Sequence, residues 1–211
     1  MKFNPKIVLL ALTVGVLPLA AQAGDSGAVY GQVGTNGLGL GYSTSVGEDW
    51  AARAQINALK TSFSGNVGDF GANAKLNVDV NLQSIQFLAD WYPSASGFRL
   101  SGGVVVNNNK VTLTGTGKVA GKDATVNGEL KMNDGLSPYL GLGYATRPKD
   151  AKGLGFNVDL GVLFQNPKAS LSANGAGVTQ ADINAQLKTM QDAADNLKLF
   201  PILGLGVSYA F

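Results

Sequence analysis

Leu203-Gly-Leu-Gly-Val-Ser-Tyr-Ala-Phe211 closes the 211-residue chain, and its reading sets the fold. The odd positions are Leu203, Leu205, Val207, Tyr209 and Phe211; the even positions are Gly204, Gly206, Ser208 and Ala210. A strict period of two makes a strand with one bulky apolar face and one small face. In a soluble sandwich or barrel, the face opposite the core meets water and carries Lys, Glu or Thr. Here that face carries almost nothing. Small residues suit the crowded inside of a narrow closed barrel, and the bulky face suits lipid.

The same alternation recurs upstream. Ala28 to Gly34 reads as a first strand of ambiguous facing, followed by a tight Thr35-Asn36-Gly37 turn. Gly37 to Val46 sets Leu38, Leu40 and Tyr42 against Gly39, Gly41 and Ser43. From Trp50 to about Phe63, the Ala52, Ala54 and Ile56 face opposes Arg53, Gln55 and Asn57. Lys75 to Tyr92 changes phase: Leu76, Val78, Val80 and Leu82 share one parity, and Ile85, Phe87, Ala89 and Trp91 the other. Either a one-residue bulge near Gln83 or Ser84 reconciles them, or the first half stands above the membrane and packs on something else. A fifth strand runs from Phe98 to about Thr114, and a long polar loop with room for a small hairpin spans Gly115 to Gly135. Leu136 to Thr146, Gly153 to Phe164 and Leu199 to Phe211 complete eight strands, with ten possible.

Connections after the second, fourth and sixth strands are short, and those after the third, fifth and seventh are long. That asymmetry fits short periplasmic turns and long outer loops, with both termini periplasmic. Trp50, Trp91, Tyr92, Phe98, Tyr144, Tyr209 and Phe211 fall at the short-turn end, and Phe63, Tyr139, Phe164 and Phe200 at the other, as two aromatic girdles. Ile183, Leu187, Met190, Ala194 and Leu197 form a helical stripe within Thr179 to Lys198, in the last outer loop. Thr179 and Asp182 have capping-box spacing, and the segment reads first as a cap over the barrel mouth, then as a helix lying at the outer boundary of the membrane, and last as a partner-binding element.

The expected fold is therefore all-β, a transmembrane antiparallel up-and-down barrel with one short helix. In this the chain resembles the small outer-membrane β-barrels of Gram-negative bacteria. Those barrels often end on Phe after alternating apolar or aromatic residues, a pattern that Leu205, Val207, Tyr209 and Phe211 match. The resemblance implies recognition of that strand by the barrel-assembly machinery, residence in the outer membrane, and contact with its lipid and lipopolysaccharide. It covers nearly the whole chain as an architecture, but its only specific motif is this terminus.

Residues 1–23 read as a secretory signal peptide, with Lys2 and Lys6, an apolar stretch from Ile7 to Leu19, and an Ala21-Gln22-Ala23 cleavage site. The expected barrel domain is 24–211. Without the signal, 14 basic face 14 acidic residues, so no attraction to nucleic acid is implied. The chain has no Cys and no His, which removes disulfides, thiolate chemistry, the commonest general base and the commonest metal ligand. Its Gly-Leu-Gly units lack nucleotide-loop spacing. No enzyme, cofactor or metal centre is expected.

The informative polar set is Arg53, Asp90, Arg99 and Asp159, all on the polar parity of their strands. The first three lie near the short-turn end of consecutive strands, with Asp90 between the arginines. They read as an internal ion-pair layer, and Asp159 reads as standing higher, at mid-barrel. Two roles follow. One is a non-enzymatic envelope protein with a largely filled lumen, resembling OmpA-type membrane domains. The other is a narrow channel for small solutes, with apolar ones among the options, resembling OmpW-type barrels.

Overall fold

The computed structural model describes residues 27–66, 75–94, 96–132, 135–146 and 152–211. The expected signal segment, its boundary with the barrel, and most of the turn at 147–152 lie outside the described residues. In chain order the elements are β1 (Gly27–Gly34), β2 (Gly37–Ser45), β3 (Trp50–Asn66), β4 (Lys75–Trp91), β5 (Phe98–Asn107), β6 (Lys110–Val119), β7 (Lys122–Lys131), β8 (Gly135–Ala145), β9 (Gly153–Phe164), β10 (Lys168–Asn174), α1 (Gln180–Asp195) and β11 (Leu199–Ala210).

Among the described residues, eight of eleven strands close a ring in the order β1-β2-β3-β4-β5-β8-β9-β11, every neighbour antiparallel. Closure satisfies every edge, which hydrocarbon requires of a spanning sheet. The last strand meets the first at Ala28↔Ala210, and Phe211 N–H donates to the Gly27 carbonyl at 2.9 Å. On β11, Leu203, Leu205, Val207 and Tyr209 point out and are exposed, while Gly204, Gly206, Ser208 and Ala210 point in. The outside is apolar all round: β9 shows Leu154, Phe156 and Leu160, and β8 shows Leu140 and Leu142. Among the described residues no helix is long and apolar enough to cross a membrane.

Near the end that holds Gly27 and Phe211, Trp50 stacks on Trp91 with centroids 6.4 Å apart, Tyr144 on Phe156 at 5.5 Å, and Tyr42 leans on Phe211 at 6.5 Å. This girdle is largely the expected one, but Tyr92 is buried. The opposite girdle is mostly absent. Only Phe164 faces out there; Tyr139 is buried in the lumen and Phe200 packs against it. Phe63 sits higher, on the inner face of β3, as its parity with Arg53 demands.

β3 and β4 have 17 residues each, well beyond the ~9–11 that cross a membrane. Their register runs unbroken from Trp50↔Trp91 to Asn66↔Lys75, so there is no bulge at Gln83 or Ser84. The phase change has the other cause. The lower half of β4 turns Ser84, Gln86, Leu88 and Asp90 into the lumen; the upper half leaves the barrel, and the same face carries Leu76, Val78 and Val80 into a separate core. The expected Phe98–Thr114 strand is interrupted at Asn108 and Asn109, then resumes in the same register as β6, from Ser84↔Asn107 to Asn81↔Lys110. Ala120 and Gly121, with φ of 49° and 79°, make the tight turn into β7. This hairpin occupies most of the expected polar loop at 115–135. β10, which alternation in Lys168–Asn174 had not revealed, pairs with β7.

The upper parts of β3 and β4 thus join β6, β7 and β10 in a five-stranded wall rising above one side of the barrel. Its inner face is apolar: Val80, Val111, Leu130 and Ala169 lie in one row, Val78, Leu113, Gly128 and Leu171 in the next. α1 covers part of this face, resting chiefly on β10 and also on β6. The helix therefore leans on the wall, and only its lower end reaches the mouth. Met190 packs where the wall has Gly128; a Cβ there would stand 3.2 Å from Met190 Cε. Thr179 caps the helix: its hydroxyl accepts from Asp182 N at 3.3 Å, and Asp182 Oδ2 accepts from Thr179 N at 2.9 Å. Lys122 Nζ, on the wall, lies 2.8 Å from the same Asp182 oxygen.

The barrel lumen as candidate functional site

Arg53, Asp90, Arg99 and Asp159 come from β3, β4, β5 and β9 and meet in the lumen. Arg53 Nε lies 2.6 Å from Asp90 Oδ2, and Arg53 Nη1 lies 3.1 Å from Asp159 Oδ2. Arg99 Nη1 lies 3.5 Å from Asp90 Oδ2, and Arg99 Nη2 lies 2.8 Å from Asp159 Oδ1. Each arginine thus touches both aspartates, and no side chain in the quartet is more than 5% exposed. The Arg53 Nε–Asp90 Oδ2 contact is poorly angled for a hydrogen bond. The hydrogen bond between those residues is Arg53 Nη2 to Asp90 Oδ1, at 3.0 Å. Asp159 does not stand apart at mid-barrel: it completes the cluster. Barrel strands tilt, so residues that look staggered along the sequence meet across the lumen.

Two positive and two negative charges balance. A buried ion pair is tolerated when charge and hydrogen bonds are matched, and broken pairs are costly. Three of the four carboxylate oxygens accept hydrogen bonds, while Asp90 Oδ2 is held by the two guanidinium charges alone. Ser101 Oγ donates to Asp90 at 2.6 Å, and Gln32 Nε2 donates to Asp159 at 2.7 Å. The network runs on: Gln55 donates to Gln32 at 3.0 Å and to Asn57 at 2.6 Å, and Asn57 donates to Ser84 at 3.1 Å.

An apolar layer of Leu88, Val105, Tyr139, Leu163 and Ile202, with Phe200 against it, also occupies the lumen. Towards the mouth, Asn107 donates to Gln165 at 2.8 Å, and Gln165 Nε2 donates to the Leu197 carbonyl at 3.0 Å, tying β5, the β9–β10 connection and the end of α1 together. At the terminus end, Tyr30, Ser43, Arg99 and Asn157 help line a cavity of about 20 Å³, room for about one water molecule.

The inward glycines create the space for these side chains. Arg99 lies directly opposite Gly143, where a Cβ would stand 3.2 Å from Arg99 Nε and 3.0 Å from Asp159 Oδ1. A Cβ on Gly161 or Gly141 would collide with the Tyr139 ring, and one on Gly41 with Tyr30. Sequence reasoning missed Tyr30, Gln32 and Tyr139 as lumen residues. The signal was present across strands: Tyr30 faces Gly41 in register, a large residue against an empty position.

Crystal structures of CarO and CarO2 from Acinetobacter baumannii superpose on this chain with TM-scores of 0.61 and 0.62. Identity is 23% and 22%, over 88% of this chain and 97% and 98% of theirs. The chain has the outer-membrane β-barrel fold. A major outer membrane protein from Thermus thermophilus superposes more loosely, at a TM-score of 0.42 and 14% identity, over 88% of this chain and 100% of that one. No protein-family model and no curated protein matches the sequence. Within that fold, the chain departs from the simple eight-strand plan through its one-sided wall and the helix leaning on it.

Proposed function

We propose that this chain is a non-enzymatic integral protein of the outer membrane whose lumen is largely closed, and which acts as an envelope component or through its outer surface. The observation that carries this reading is the neutral quartet of Arg53, Asp90, Arg99 and Asp159, stacked with the apolar layer around Tyr139. A solute would have to displace both. The signal peptide at 1–23 is removed on this reading, the mature chain begins at Gly24, and both termini lie in the periplasm. Assembly proceeds through the C-terminal strand.

The test is permeation. Liposomes holding the refolded protein should swell in small sugars or amino acids no faster than protein-free liposomes; rapid swelling would replace this reading with a channel. N-terminal sequencing of membrane-extracted protein should read Gly24. One observation favours the second reading, a narrow path for small apolar solutes. Phe63, at 55% exposure, and Leu59 lie uncovered on the wall's inner face, above the lumen. Partition of a fluorescent apolar solute into liposomes, with and without protein, separates the two.

A further inference from the structure

The lumen holds free polar groups at one point, and neither the quartet nor the apolar layer uses them. Arg99 Nε, the hydroxyls of Tyr30 and Ser43, and both amide atoms of Asn157 have no hydrogen-bond partner among the described residues. None of these four residues is more than 6% exposed. A polar group buried without a partner costs stability, so several of them in one place call for a ligand. They come from β1, β2, β5 and β9, and all four border the cavity of about 20 Å³ at the terminus end of the lumen. Glycines make room for them. Tyr30 lies over Gly41 and Asn157 over Gly206, where any Cβ would collide with them.

The free groups select the chemistry of the ligand. Arg99 Nε and Asn157 Nδ2 only donate, and the two hydroxyls can donate. The one obligate acceptor is Asn157 Oδ1. The other charged nitrogens of Arg99 face Asp90 and Asp159, which leaves its Nε–H for the cavity. That guanidinium disfavours a cation. A water accepts about two hydrogen bonds and must place its own hydrogens, whereas a monatomic anion accepts from all four donors at once. The space suits one such particle. Hydrogen bonds from a charged donor are the strong kind, and they offset the ion's loss of hydration. Because the quartet is neutral, recognition rests on the converging donors and not on net charge.

We propose that this cavity binds one small monatomic anion of the halide class, held by Arg99 Nε, Asn157 Nδ2 and the hydroxyls of Tyr30 and Ser43. The bound ion braces β1, β2, β5 and β9 against one another at the terminus end. This goes beyond the closed-lumen reading and does not need it, since a conducting barrel would keep the site.

The test follows urea unfolding of the mature protein refolded in uncharged detergent, with sodium chloride replacing sodium gluconate at constant ionic strength. Gluconate is too large for the cavity. The wild-type midpoint should rise with chloride along a saturating curve, and bromide should act likewise. The double variant Tyr30→Phe, Ser43→Ala removes two donors that bond nothing within the protein. In gluconate it should be no less stable than wild type. Its half-saturating chloride concentration should rise by about tenfold or more. Either single variant should shift it the same way by less, which keeps the test open if the double variant misfolds. Tyr209→Phe removes a hydroxyl on the lipid side and should respond as wild type. Wild-type crystals grown in bromide should show an anomalous peak between Arg99 and Asn157. Equal midpoints in chloride and gluconate, or an unchanged chloride response in the variants, would overturn the proposal. So would ordered water without an anomalous signal at the site. A bromide peak without a saturable effect in solution would mean an adventitious ion only, and would overturn it too.

Discussion

Asp90 has no exposed surface and shares its carboxylate among Arg53, Arg99 and Ser101. An Asp90→Ala change leaves two arginines against Asp159 alone. Removing one partner of a buried pair costs about 3–5 kcal/mol in a dry site, and lumen water would lessen that. Asp90→Ala should therefore lower the unfolding midpoint in a denaturant titration clearly more than Asp123→Ala, on the wall. Equal effects would mean that the quartet is too well hydrated to matter. A second residue-scale test concerns pH. Asp182 is held down to about 2 from an ordinary 3.8, first by the Lys122 hydrogen bond and then by the Thr179 backbone and hydroxyl. A folded-state value below the unfolded one stabilises the helix start above pH ~3.8, and that gain fades as pH falls towards ~2. Hydrogen-exchange protection at the start of α1 should hold from pH 7 to about 4, then decline. Asp182→Asn should abolish that dependence, and an unchanged profile would remove Asp182 from the cap.

Elements pair large residues with glycines. Tyr139 on β8 fills the space over Gly161 on β9 and Gly141 on its own strand. Gly161→Ala should lower stability by about 1–3 kcal/mol through overpacking. In a Tyr139→Ala background the same change should cost far less, and a double-mutant cycle measures the difference. Additive costs would place the tyrosine elsewhere. This cross-strand relation also explains what was legible in the sequence. Period-two alternation in β2, β8, β9 and β11 was readable because one face is glycine and the other bulky. In β4 it left two readings open, and the second holds: one unbroken strand serves two environments, and the apolar residues change face at Leu82–Ile85 without a change in backbone. It failed for Tyr139 and Phe200, since an aromatic near a strand end reads as a girdle until its parity is fixed by a partner. β10 was lost because Lys168–Asn174 alternates small against small, with Leu171 its one bulky residue. Arg53, Asp90 and Arg99 were found by parity, whereas the height of Asp159 depends on strand tilt, which sequence does not carry.

At the scale of the molecule, two features stand together: a barrel turned apolar side out, and a lumen occupied by its own side chains. On the proposed reading, assembly depends on the first. Phe211 closes the ring by backbone hydrogen bonds to Gly27 and stands beside Tyr42 on the lipid side. Deleting it should reduce the amount of heat-modifiable, folded protein recovered from membranes, and normal amounts would remove its part in assembly. On the proposed reading, the second feature closes the barrel to solutes. The quartet and the layer around Tyr139 come from strands on all sides, so no single loop movement clears the path. The most direct measurement is ion conductance of the refolded protein in planar bilayers. Wild type should give no steady single-channel current, while Asp90→Ala, with its charge layer broken, should give rare or noisy openings. A stable, regular conductance from wild type would contradict the closed lumen and make the barrel a channel.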